Sequence, residues 1–292
     1  MTKTIAPSEL ILNPDGSIFH LHLKPGQIAK DIILVGDPGR VEMIAGFFDE
    51  IEVKAQNREF VTVTGKYEGK RITVLSTGIG TDNIDIVVNE LDALVNIDLE
   101  TRMIKTDKTS LNLIRIGTSG ALQGDIPVDA FLASRKAIGF DGLMNFYARR
   151  DEISDLAFEN AFKTYTNWNP LLASPYVVDC DSDLYNKITD QDFISGITIS
   201  APGFYGPQGR ELRLNIVDQK INDKIELFRF KEMKITNYEM ECSAIYGLSK
   251  LLGHQALTVC IIIANRITHE ASIDYKPVMK RLVSKILDKL AQ

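Results

Sequence analysis

Short runs of apolar residues alternate with amphipathic stretches along most of the chain. An apolar run of roughly four to eight residues that ends in a turn is typical of a buried strand. The clearest of these runs are at residues 31–36, 112–117 and 257–263. Residues 82–96 instead carry apolar side chains at helical spacing, which predicts an amphipathic helix. The remaining predicted strands are 51–56, 59–67, 71–77, 130–137 and 193–200, and the remaining predicted helices are 40–48, 153–164, 217–232, 242–252 and 277–290.

The order of these elements predicts an α/β fold. Strands and helices alternate, although the early strands come in a run, and this order favours a mixed, largely parallel sheet with helices on both faces. No internal repeat and no linker rich in proline, glycine and serine divides the chain, so we expect one domain that spans residues 1–292. Glycine and polar residues directly follow the apolar strands. We therefore expect ligands to gather at the carboxyl ends of the sheet.

Composition and charge narrow the function classes. A formal net charge of −6 disfavours bulk attraction to nucleic acid or to an anionic membrane. The longest apolar run, 256–264, has about half of the roughly 20 residues that a membrane helix needs, and residues 1–12 lack the apolar segment of a signal peptide. The three cysteines show no metal or redox spacing. We therefore expect a cytoplasmic protein without nucleic-acid or membrane partners, in which local arginines bind any anionic ligand.

Two carboxylates, Glu239 and Glu241, lie on either side of Met240, where a β-prone piece gives way to a predicted helix. If residues 239–241 are extended, both carboxylates point to the same side, and if the helix has begun, they diverge. A carboxylate pair in a pocket suits polyol recognition, metal binding or acid–base chemistry. The alternative is that a helix N-terminus simply favours acidic residues. From this stretch alone, the alternative is somewhat favoured.

Arginines accompany small residues at the ends of two predicted strands. The run from Arg115 to Gly120 combines an arginine within an apolar strand with small residues that let backbone N–H groups approach an anion. An arginine among apolar neighbours is hard to solvate, which favours a binding role over an ordinary turn. Gly36 and Arg40 repeat the pattern, although an arginine at a helix start is unfavourable unless an anion offsets it. Together with Arg58, these arginines predict a phosphate site.

The loop at residues 204–210 carries two aromatic residues, a glutamine and an arginine. Phe204 can stack on a planar base, and Gln208 offers donors and an acceptor to a pyrimidine edge. Arg210 can stabilise negative charge on a leaving base. The alternative is a surface loop with a packed aromatic residue, and the combination of side chains slightly favours base binding.

Gly78 and Gly80 resemble part of a dinucleotide-binding fingerprint. However, Asn83 stands where the third glycine belongs, and the motif follows a later strand than the first βα unit. We therefore reject a Rossmann cofactor site and expect a tight turn that lines a pocket.

Taken together and in this order, the motifs resemble those of the nucleoside phosphorylase family, in particular its uridine phosphorylase branch. The strongest matches are at residues 36–42, 76–80, 115–120 and 237–241. The resemblance runs from about residue 19 to the terminal helix, which is nearly the whole chain. Their joint occurrence is highly specific, whereas any one motif alone is not.

The resemblance implies a three-layer α/β/α fold and the reversible phosphorolysis of uridine to uracil and ribose 1-phosphate, with no organic cofactor. It implies site residues for phosphate (Gly36, Arg40, Arg58, Arg115, Thr118), for ribose (His20, Glu239, Met240, Glu241) and for the base (Ser119, Gly120, Phe204, Gln208, Arg210, Arg266). Arg115, Arg210 and Glu241 are the implied catalytic residues. Arg58 would complete the phosphate site of a neighbouring subunit, and His20 would reach the ribose 5′-hydroxyl across the dimer interface. The implied active unit is therefore a dimer, which in the family often builds a hexamer.

Asn265 bears on the choice of base. In the purine branch, an aspartate at this position is the expected proton donor to the base, whereas Asn265 cannot donate an acidic proton and Arg266 follows it as in the uridine branch. The resemblance also implies that hydrolytic relatives lack the arginines of the phosphate site. Three alternatives stay open: a purine-nucleoside phosphorylase, a nucleosidase of the same fold, and a catalytically silent nucleoside-binding protein.

The chain departs from the family pattern in one long segment, 97–111, which exceeds its counterpart in compact bacterial relatives. The family also allows a structural monovalent cation near the subunit interface, with Glu59 as the expected contact. We therefore expect a uridine phosphorylase of nucleoside salvage and pyrimidine metabolism, with its assembly and substrate range left open.

Overall fold

One large mixed sheet lies at the centre of the structure, a computed structural model that describes residues 4–292. The strands are β1 (Asp31–Val35), β2 (Glu50–Asn57), β3 (Phe60–Tyr67), β4 (Lys70–Ser76), β5 (Ile97–Asp98), β6 (Met103–Ile104), β7 (Asn112–Ala121), β8 (Phe131–Gly139), β9 (Tyr176–Asp179), β10 (Phe193–Ser200), β11 (Arg229–Phe230), β12 (Met233–Lys234), β13 (Asn237–Glu239), β14 (Gln255–Asn265) and β15 (Glu270–Ala271). The helices are α1 (Pro38–Ala45), α2 (Thr81–Asn96), α3 (Arg150–Ile153), α4 (Leu156–Thr166), α5 (Ser182–Ile188), α6 (Ile221–Leu227), α7 (Cys242–Leu252) and α8 (Lys276–Ala291). Short 3₁₀ turns lie at Leu143–Phe146 and Gly206–Gln208.

The strands that carry the arginine and glycine motifs lie side by side. β1 is buried at every position, as the apolar run predicts, and it pairs in parallel with β4 and β7. β7 pairs in parallel with β14 in turn. The carboxyl ends of β1 and β4 therefore meet beside the middle of β7, where Arg115 lies opposite Leu34.

The predicted α/β fold class is confirmed, and the balance of strand pairing is the detail that differs. Parallel pairing joins β1, β4, β7 and β14, and also β8, β10 and β13. Antiparallel pairing is more extensive than the sequence predicted, because it joins β2 to β3, β3 to β4, β8 to β9 and β14, β13 to β7, and β14 to β15.

Part of the sheet closes on itself. β14 pairs with both β7 and β8, and this closes β7, β13, β10, β8 and β14 into a ring. Irregularities in register at Gly196/Ile197 of β10 and Ile262/Ala264 of β14 bend the strands, as bulges do where sheets curve. The sequence pattern did not predict the ring, because the alternation within one strand does not record which strands pair with it.

Helix α7 fixes the position of the carboxylate motif. It begins directly after β13 and is buried from Cys242 to Ser249, where it packs against α2 and the sheet. A helix that is apolar on most sides must be covered on most sides. The turn between β13 and α7 is therefore held at both ends by buried elements.

The segment after the base loop differs from the prediction. Residues 217–232 were predicted as one helix, but α6 covers only Ile221–Leu227, and a two-stranded hairpin of β11 and β12 follows. Lys231 and Glu232 have φ values of 48° and 64°, so the tight turn between those strands takes backbone angles that a helix does not contain. Likewise, β7 continues through the residues at 118–120 that were predicted to end it.

The long segment at 97–111 contains a second small hairpin, formed by β5 and β6. It joins the N-terminal segment, because the backbone N–H of Ile5 donates to the carbonyl of Arg102 at 2.9 Å. Within residues 4–292, no helix is long and apolar enough to cross a membrane.

Candidate active site

The centre of the site is a buried arginine between two buried carboxylates, which we call the carboxylate cluster (Arg115, Glu239 and Glu241). The guanidinium of Arg115 donates to Glu241 Oε2, and its Nη1 lies 3.4 Å from Glu239 Oε2. Burial opposes the charged form of Arg115, but the two carboxylates outweigh burial and raise the pKa of its guanidinium. Glu239 and Glu241 therefore hold the cation of Arg115 in place on β7.

Gly117 makes room for this arrangement. It lies on the same side of β7 as Arg115, and a Cβ added at Gly117 would lie 1.9 Å from Arg115 Nη1. Any side chain at this position would displace the guanidinium. Cys260 of the neighbouring strand β14 also contacts the guanidinium, with its Sγ 3.6 Å from Arg115 Nη1.

The two carboxylates have different partners. Glu239 accepts hydrogen bonds from Ser200 Oγ at 2.5 Å and from the backbone N–H groups of Glu241 and Cys242, at 2.8 and 2.9 Å. It thus satisfies the first amide groups of α7. Burial raises the pKa of Glu239 to about 7, with the charge of Glu241 acting in the same direction and that of Arg115 against it.

Glu241 is the carboxylate that faces the strand ends. Its Oε1 accepts from the backbone N–H of Gly80 at 2.8 Å, and its Oε2 accepts from Arg115. Gly80 precedes α2, so the predicted tight turn at Gly78 and Gly80 meets the carboxylate motif across the sheet. Met240, between the two acids, is half-buried.

Arg40 lies next to the carboxylate cluster. Asp37 caps α1 by accepting from the N–H of Gly39 at 2.9 Å, and this places Arg40 in the first turn. Arg40 Nη1 donates to the carbonyl of Ile116 at 3.1 Å. Burial lowers the pKa of Arg40, and the charge of Arg115 acts in the same direction. Two arginines that repel each other in a partly buried place would be stabilised by an anion.

Gly36 and Thr118 lie in the same region, Gly36 directly after β1 and Thr118 within β7. Gly36 follows β1 directly, and a Cβ added to it would lie 3.4 Å from the carbonyl oxygen of Gly78. The chain therefore approaches itself closely there. Thr118 is half-buried in β7, two residues after the buried Ile116.

The loop after β10 and the residue after β14 form a second group, which we call the base cluster (Phe204, Gln208, Arg210 and Arg266). Arg210 Nη1 donates to Gln208 Oε1 and to the carbonyl of Phe204, each at 2.5 Å, and its Cζ lies 3.9 Å from the centre of the Phe204 ring. Arg266 donates to the carbonyl of Gln208. Burial lowers the pKa of Arg210, and the charge of Arg266 adds to this effect.

The base cluster adjoins the carboxylate cluster through β7 and β13. The N–H of Arg266 donates to the carbonyl of Ala121 at 3.0 Å, and a Cβ added at Gly120 would lie 4.0 Å from the Arg266 side chain. Ser119 lies beside them, and its hydroxyl is buried without a hydrogen-bond partner. Tyr238, next to Glu239, also has a buried hydroxyl without a partner, 1% of the residue being exposed.

An apolar cavity of about 850 Å³ opens beside the base cluster. Its lining includes Arg210 and Tyr205, and also Trp168, Leu171 and Leu172. The segment after the base cluster contributes further aliphatic side chains: Leu212, Leu214, Ile216 and Val217. Such a pocket suits a planar or apolar group more than a charged one.

Asn265 does not belong to either cluster. Its amide donates to the carbonyls of Gln123 and Ile126 at 2.9 and 2.8 Å, and its carbonyl oxygen accepts from the N–H groups of Ile267 and Thr268. These backbone partners use its donors and its acceptor, and only 2% of the residue is exposed. Asn265 therefore holds the turn after β14.

His20 and Arg58 lie apart from both clusters. Arg58 is exposed at the turn between β2 and β3, with a φ of 52°. His20 lies in a turn, and its Nδ1 contacts Glu90 Oε1 at 2.6 Å. Within the described chain, the hydrogen bonds of His20 involve Glu90 and Asn57 and neither cluster.

Glu59, the predicted contact of a cation, accepts from Asn83 Nδ2 at 3.2 Å. Residues 4–292 contain no group of three or more histidine, cysteine, aspartate or glutamate side chains that could hold a metal ion.

Several residues of the site escaped the sequence analysis. Ser200, the last residue of β10, donates to Glu239. A polar residue at the end of a strand was the signal in the sequence that could have identified it. Tyr238 alternates with Glu239 on β13 and so reaches the base cluster, with its ring centre 5.8 Å from Arg266 Cζ. Gly80 and Glu241 are far apart in sequence, and no local pattern indicates their contact.

Comparison with known proteins identifies relatives of this arrangement. A family model described as the phosphorylase superfamily matches residues 30–291. A solved structure of a Trypanosoma brucei nucleoside phosphorylase, described as showing uridine phosphorylase activity, superposes with a TM-score of 0.88 at 31% identity and covers 96% of this chain and 99% of its own.

The names of two curated relatives state different base preferences. A uridine phosphorylase of Thermococcus kodakarensis is 29% identical over an alignment of 280 residues that covers 92% of this chain and 85% of that protein. A DeoD-type purine nucleoside phosphorylase of Listeria monocytogenes is 26% identical over 244 residues, which are 83% of this chain and 85% of that protein.

Proposed function

This chain belongs to the phosphorylase superfamily, and on that premise we propose that it catalyses the reversible phosphorolysis of uridine to uracil and ribose 1-phosphate. The observation that carries the proposal is the buried contact between Arg115 and the Glu241 carboxylate. Arg40 lies close to Arg115. This arrangement puts an anion-binding group and a hydroxyl-binding group side by side, with the base cluster next to them. A phosphate, a pentose and a planar base are the ligands that such a site suits.

Phosphate would bind between Arg40 and Arg115. A phosphate dianion offsets the repulsion that helps to lower the pKa of Arg40, and it offers several oxygens to the two guanidinium groups. Gly36 leaves the backbone accessible on one side, and the Thr118 hydroxyl is a further donor. In this pose the phosphate lies next to Glu241, where it can attack the anomeric carbon of the sugar.

Ribose would bind to Glu241. An ionised carboxylate accepts hydrogen bonds from hydroxyl groups, and Glu241 already has a fixed position from Gly80 and Arg115. Glu239 supports this role because it holds the backbone of Glu241 at the start of α7. Met240 would contact the sugar ring. Cleavage of the glycosidic bond then develops oxocarbenium character on the sugar, which the adjacent phosphate charge stabilises.

The base cluster would receive the departing uracil. The bonding electrons of the broken bond leave with the base, so negative charge develops on the ring. Arg210 and Arg266 lie where that charge can be stabilised, and their partial burial strengthens the interaction. Gln208 offers an amide to the polar edge of the pyrimidine, with Phe204 and the residues at 119–120 beside the ring.

The remaining implied residues define the assembly that we propose. His20 and Arg58 lie outside both clusters, so they would contribute to the site of a neighbouring subunit in a dimer. Each chain would act as one domain. All three cysteines are buried as free thiols, in keeping with a reducing cytoplasm and a role in nucleoside salvage.

The decisive experiment incubates the protein with uridine, with and without inorganic phosphate. We expect uracil and ribose 1-phosphate to form only when phosphate is present. Release of free ribose without phosphate would establish a nucleosidase instead. Tight binding of uridine without turnover in phosphate buffer would establish a silent binding protein.

A purine nucleoside is the comparison substrate in the same assay. We expect uridine to have the higher kcat/KM, because Asn265 supplies no acidic proton and its amide is bound by the backbone. A higher kcat/KM for inosine would assign the protein to the purine branch. The two outcomes separate the base preference from the phosphorolysis itself.

A further inference from the structure

Glu90 of α2 is a carboxylate outside both clusters that is bound by two adjacent residues, His20 and Leu21. It accepts from the backbone N–H groups of His20 at 3.1 Å and Leu21 at 2.9 Å, and its Oε1 lies 2.6 Å from His20 Nδ1. The side chain of Glu90 is 13% exposed and that of His20 is 26% exposed. A largely buried carboxylate on a rigid helix therefore fixes both the backbone and the ring of His20.

These contacts determine the proton arrangement of the imidazole. An ionised carboxylate only accepts hydrogen bonds, and in that form Glu90 accepts from the two backbone N–H groups and from the ring together. Nδ1 of His20 is therefore assigned as the nitrogen that carries the proton. In the neutral ring, Nε2 is then left as an acceptor, and this is the nitrogen on the side away from Glu90.

Two further groups hold the ring and its segment. The rings of Phe19 and Phe60 lie edge-on to the imidazole, with centroids 4.8 and 6.4 Å away. Asn57, the last residue of β2, donates from Nδ2 to the carbonyl of His20 at 2.9 Å. Arg58 follows Asn57 directly in the sequence. His20 and Arg58, the two residues that lie apart from both clusters, are therefore connected through Asn57.

We propose that Glu90 is a positioning residue for catalysis: it fixes the His20 imidazole in the Nδ1–H form and presents Nε2 to the 5′-hydroxyl of the ribose bound by the adjoining subunit. This inference rests on the proposed function and on the dimer within it. Glu90 itself does not touch the substrate. Its effect is specific to the 5′-hydroxyl, which separates it from a residue that only stabilises the fold.

The test compares uridine with 5′-deoxyuridine, which lacks that hydroxyl. For the unaltered enzyme, we expect kcat/KM to fall about tenfold when the hydroxyl is removed, the order expected for one hydrogen bond. In Glu90→Gln, the activity on uridine should fall until the ratio between the two substrates is about threefold or less. The activity on 5′-deoxyuridine should stay within about twofold, and this also reports that the variant is folded.

Matched variants complete the experiment. His20→Ala should bring the two substrates to nearly the same kcat/KM. Asp85→Asn alters another carboxylate of α2, which accepts from Tyr147 and Asn89 and does not contact His20, so it should leave the substrate ratio unchanged.

A spectroscopic measurement tests the proton arrangement without reference to activity. In Glu90→Gln, the amide oxygen should take the backbone N–H groups and the amide NH₂ should face Nδ1. The neutral ring would then carry its proton on Nε2. Nitrogen NMR of the imidazoles distinguishes the two forms, and with four histidines in the chain, His20→Ala assigns the signal.

The possible failures have different meanings. If the unaltered enzyme forms no uracil with phosphate, the proposed function fails, and the NMR measurement still decides whether Glu90 sets the ring. If His20→Ala keeps the tenfold ratio, the contact with the 5′-hydroxyl is wrong and the positioning role falls with it. If His20→Ala abolishes the ratio but Glu90→Gln preserves it, the enzyme stands and only the role of Glu90 is overturned.

Discussion

The carboxylate cluster and the base cluster lie next to each other but are built in different ways. Arg115, Glu239 and Glu241 are each less than a tenth exposed and are held by strands of the central sheet and by α7. Phe204 is 52% exposed and belongs to a loop that ends in a 3₁₀ turn, beside an open apolar cavity. The sheet and α7 hold the first region, whereas the second is a loop held by its own contacts and by hydrogen bonds from Arg266 and Asn222.

This difference corresponds to the two tasks of the proposed reaction. Phosphate and ribose are common to all nucleosides, so the groups that bind them profit from a rigid position on the sheet. The base varies between nucleosides, and a loop can adapt to it at little cost to the core. Substitutions in the carboxylate cluster should therefore affect rate and stability together, whereas those in the base cluster should affect substrate preference.

The largest effect is expected from Arg115→Ala. The substitution would leave Glu239 and Glu241 as buried carboxylates without their cation, which costs about 3–5 kcal/mol in the free energy of unfolding. It would also remove charge stabilisation from the transition state, so kcat for uridine should fall on the order of 10²-fold or more. Chemical denaturation and steady-state kinetics measure the two effects.

Arg149→Ala provides the matched control for this change. Arg149 also pairs with a carboxylate, that of Glu152, but both side chains are exposed, at 71% and 57%. Such pairs contribute little to stability, so both measurements should stay close to those of the unaltered protein. A near-normal kcat for Arg115→Ala would remove Arg115 from the mechanism.

Gly117→Ala should have the second largest effect and tests the rigidity of the same region. The added Cβ would lie 1.9 Å from Nη1 and 2.8 Å from Cζ of Arg115, so the guanidinium must move. Because a displacement of about 1 Å can cost on the order of 10²-fold in rate, we expect kcat to fall by about tenfold to 10²-fold. Kinetics with uridine at saturating phosphate measure the loss.

Gly124→Ala is the control for a glycine that meets no such obstacle. Its added Cβ would have Ile267 Cγ2 at 3.6 Å as its nearest neighbour, which is an ordinary contact. Its kcat should not change appreciably. If Gly117→Ala were equally harmless, Arg115 would have room to move, and the carboxylate cluster would be as adaptable as the base cluster.

The two clusters also differ in how far the sequence could predict them. Alternation along a strand predicts that Arg115 and the residue two positions on share one side, and the structure confirms this. The sequence left open whether Glu239 and Glu241 point together or diverge. In the structure, both carboxylates contact Arg115, but Ser200 donates to Glu239 and the N–H of Gly80 donates to Glu241. These partners are distant in sequence from the carboxylates. No periodicity in one segment contains that information.

The base cluster shows a different limit of sequence reasoning. Its residue types predicted base binding, but the segment that follows was predicted as part of a helix from 217 to 232. In the structure, residues 217–220 form a bend and a turn, and α6 begins only at Ile221. Local apolar spacing overestimated the helix because Val217, which lines the open cavity, is 89% exposed rather than packed against another element.

Phe204→Leu should have the smallest effect and tests whether the base cluster contributes through adaptable contacts. The substitution removes the aromatic face that lies 3.9 Å from Arg210 Cζ but keeps an apolar side chain. A cation–π contact at a partly exposed site contributes about 0.5–1 kcal/mol, so kcat/KM for uridine should fall about two- to fivefold. Phe204→Tyr keeps the ring and should retain nearly full activity. Because Phe204 is 52% exposed, neither variant should shift the denaturation midpoint appreciably. A loss as large as that of Gly117→Ala would show that the loop holds Arg210 as rigidly as the sheet holds Arg115, and the distinction between the two clusters would not stand.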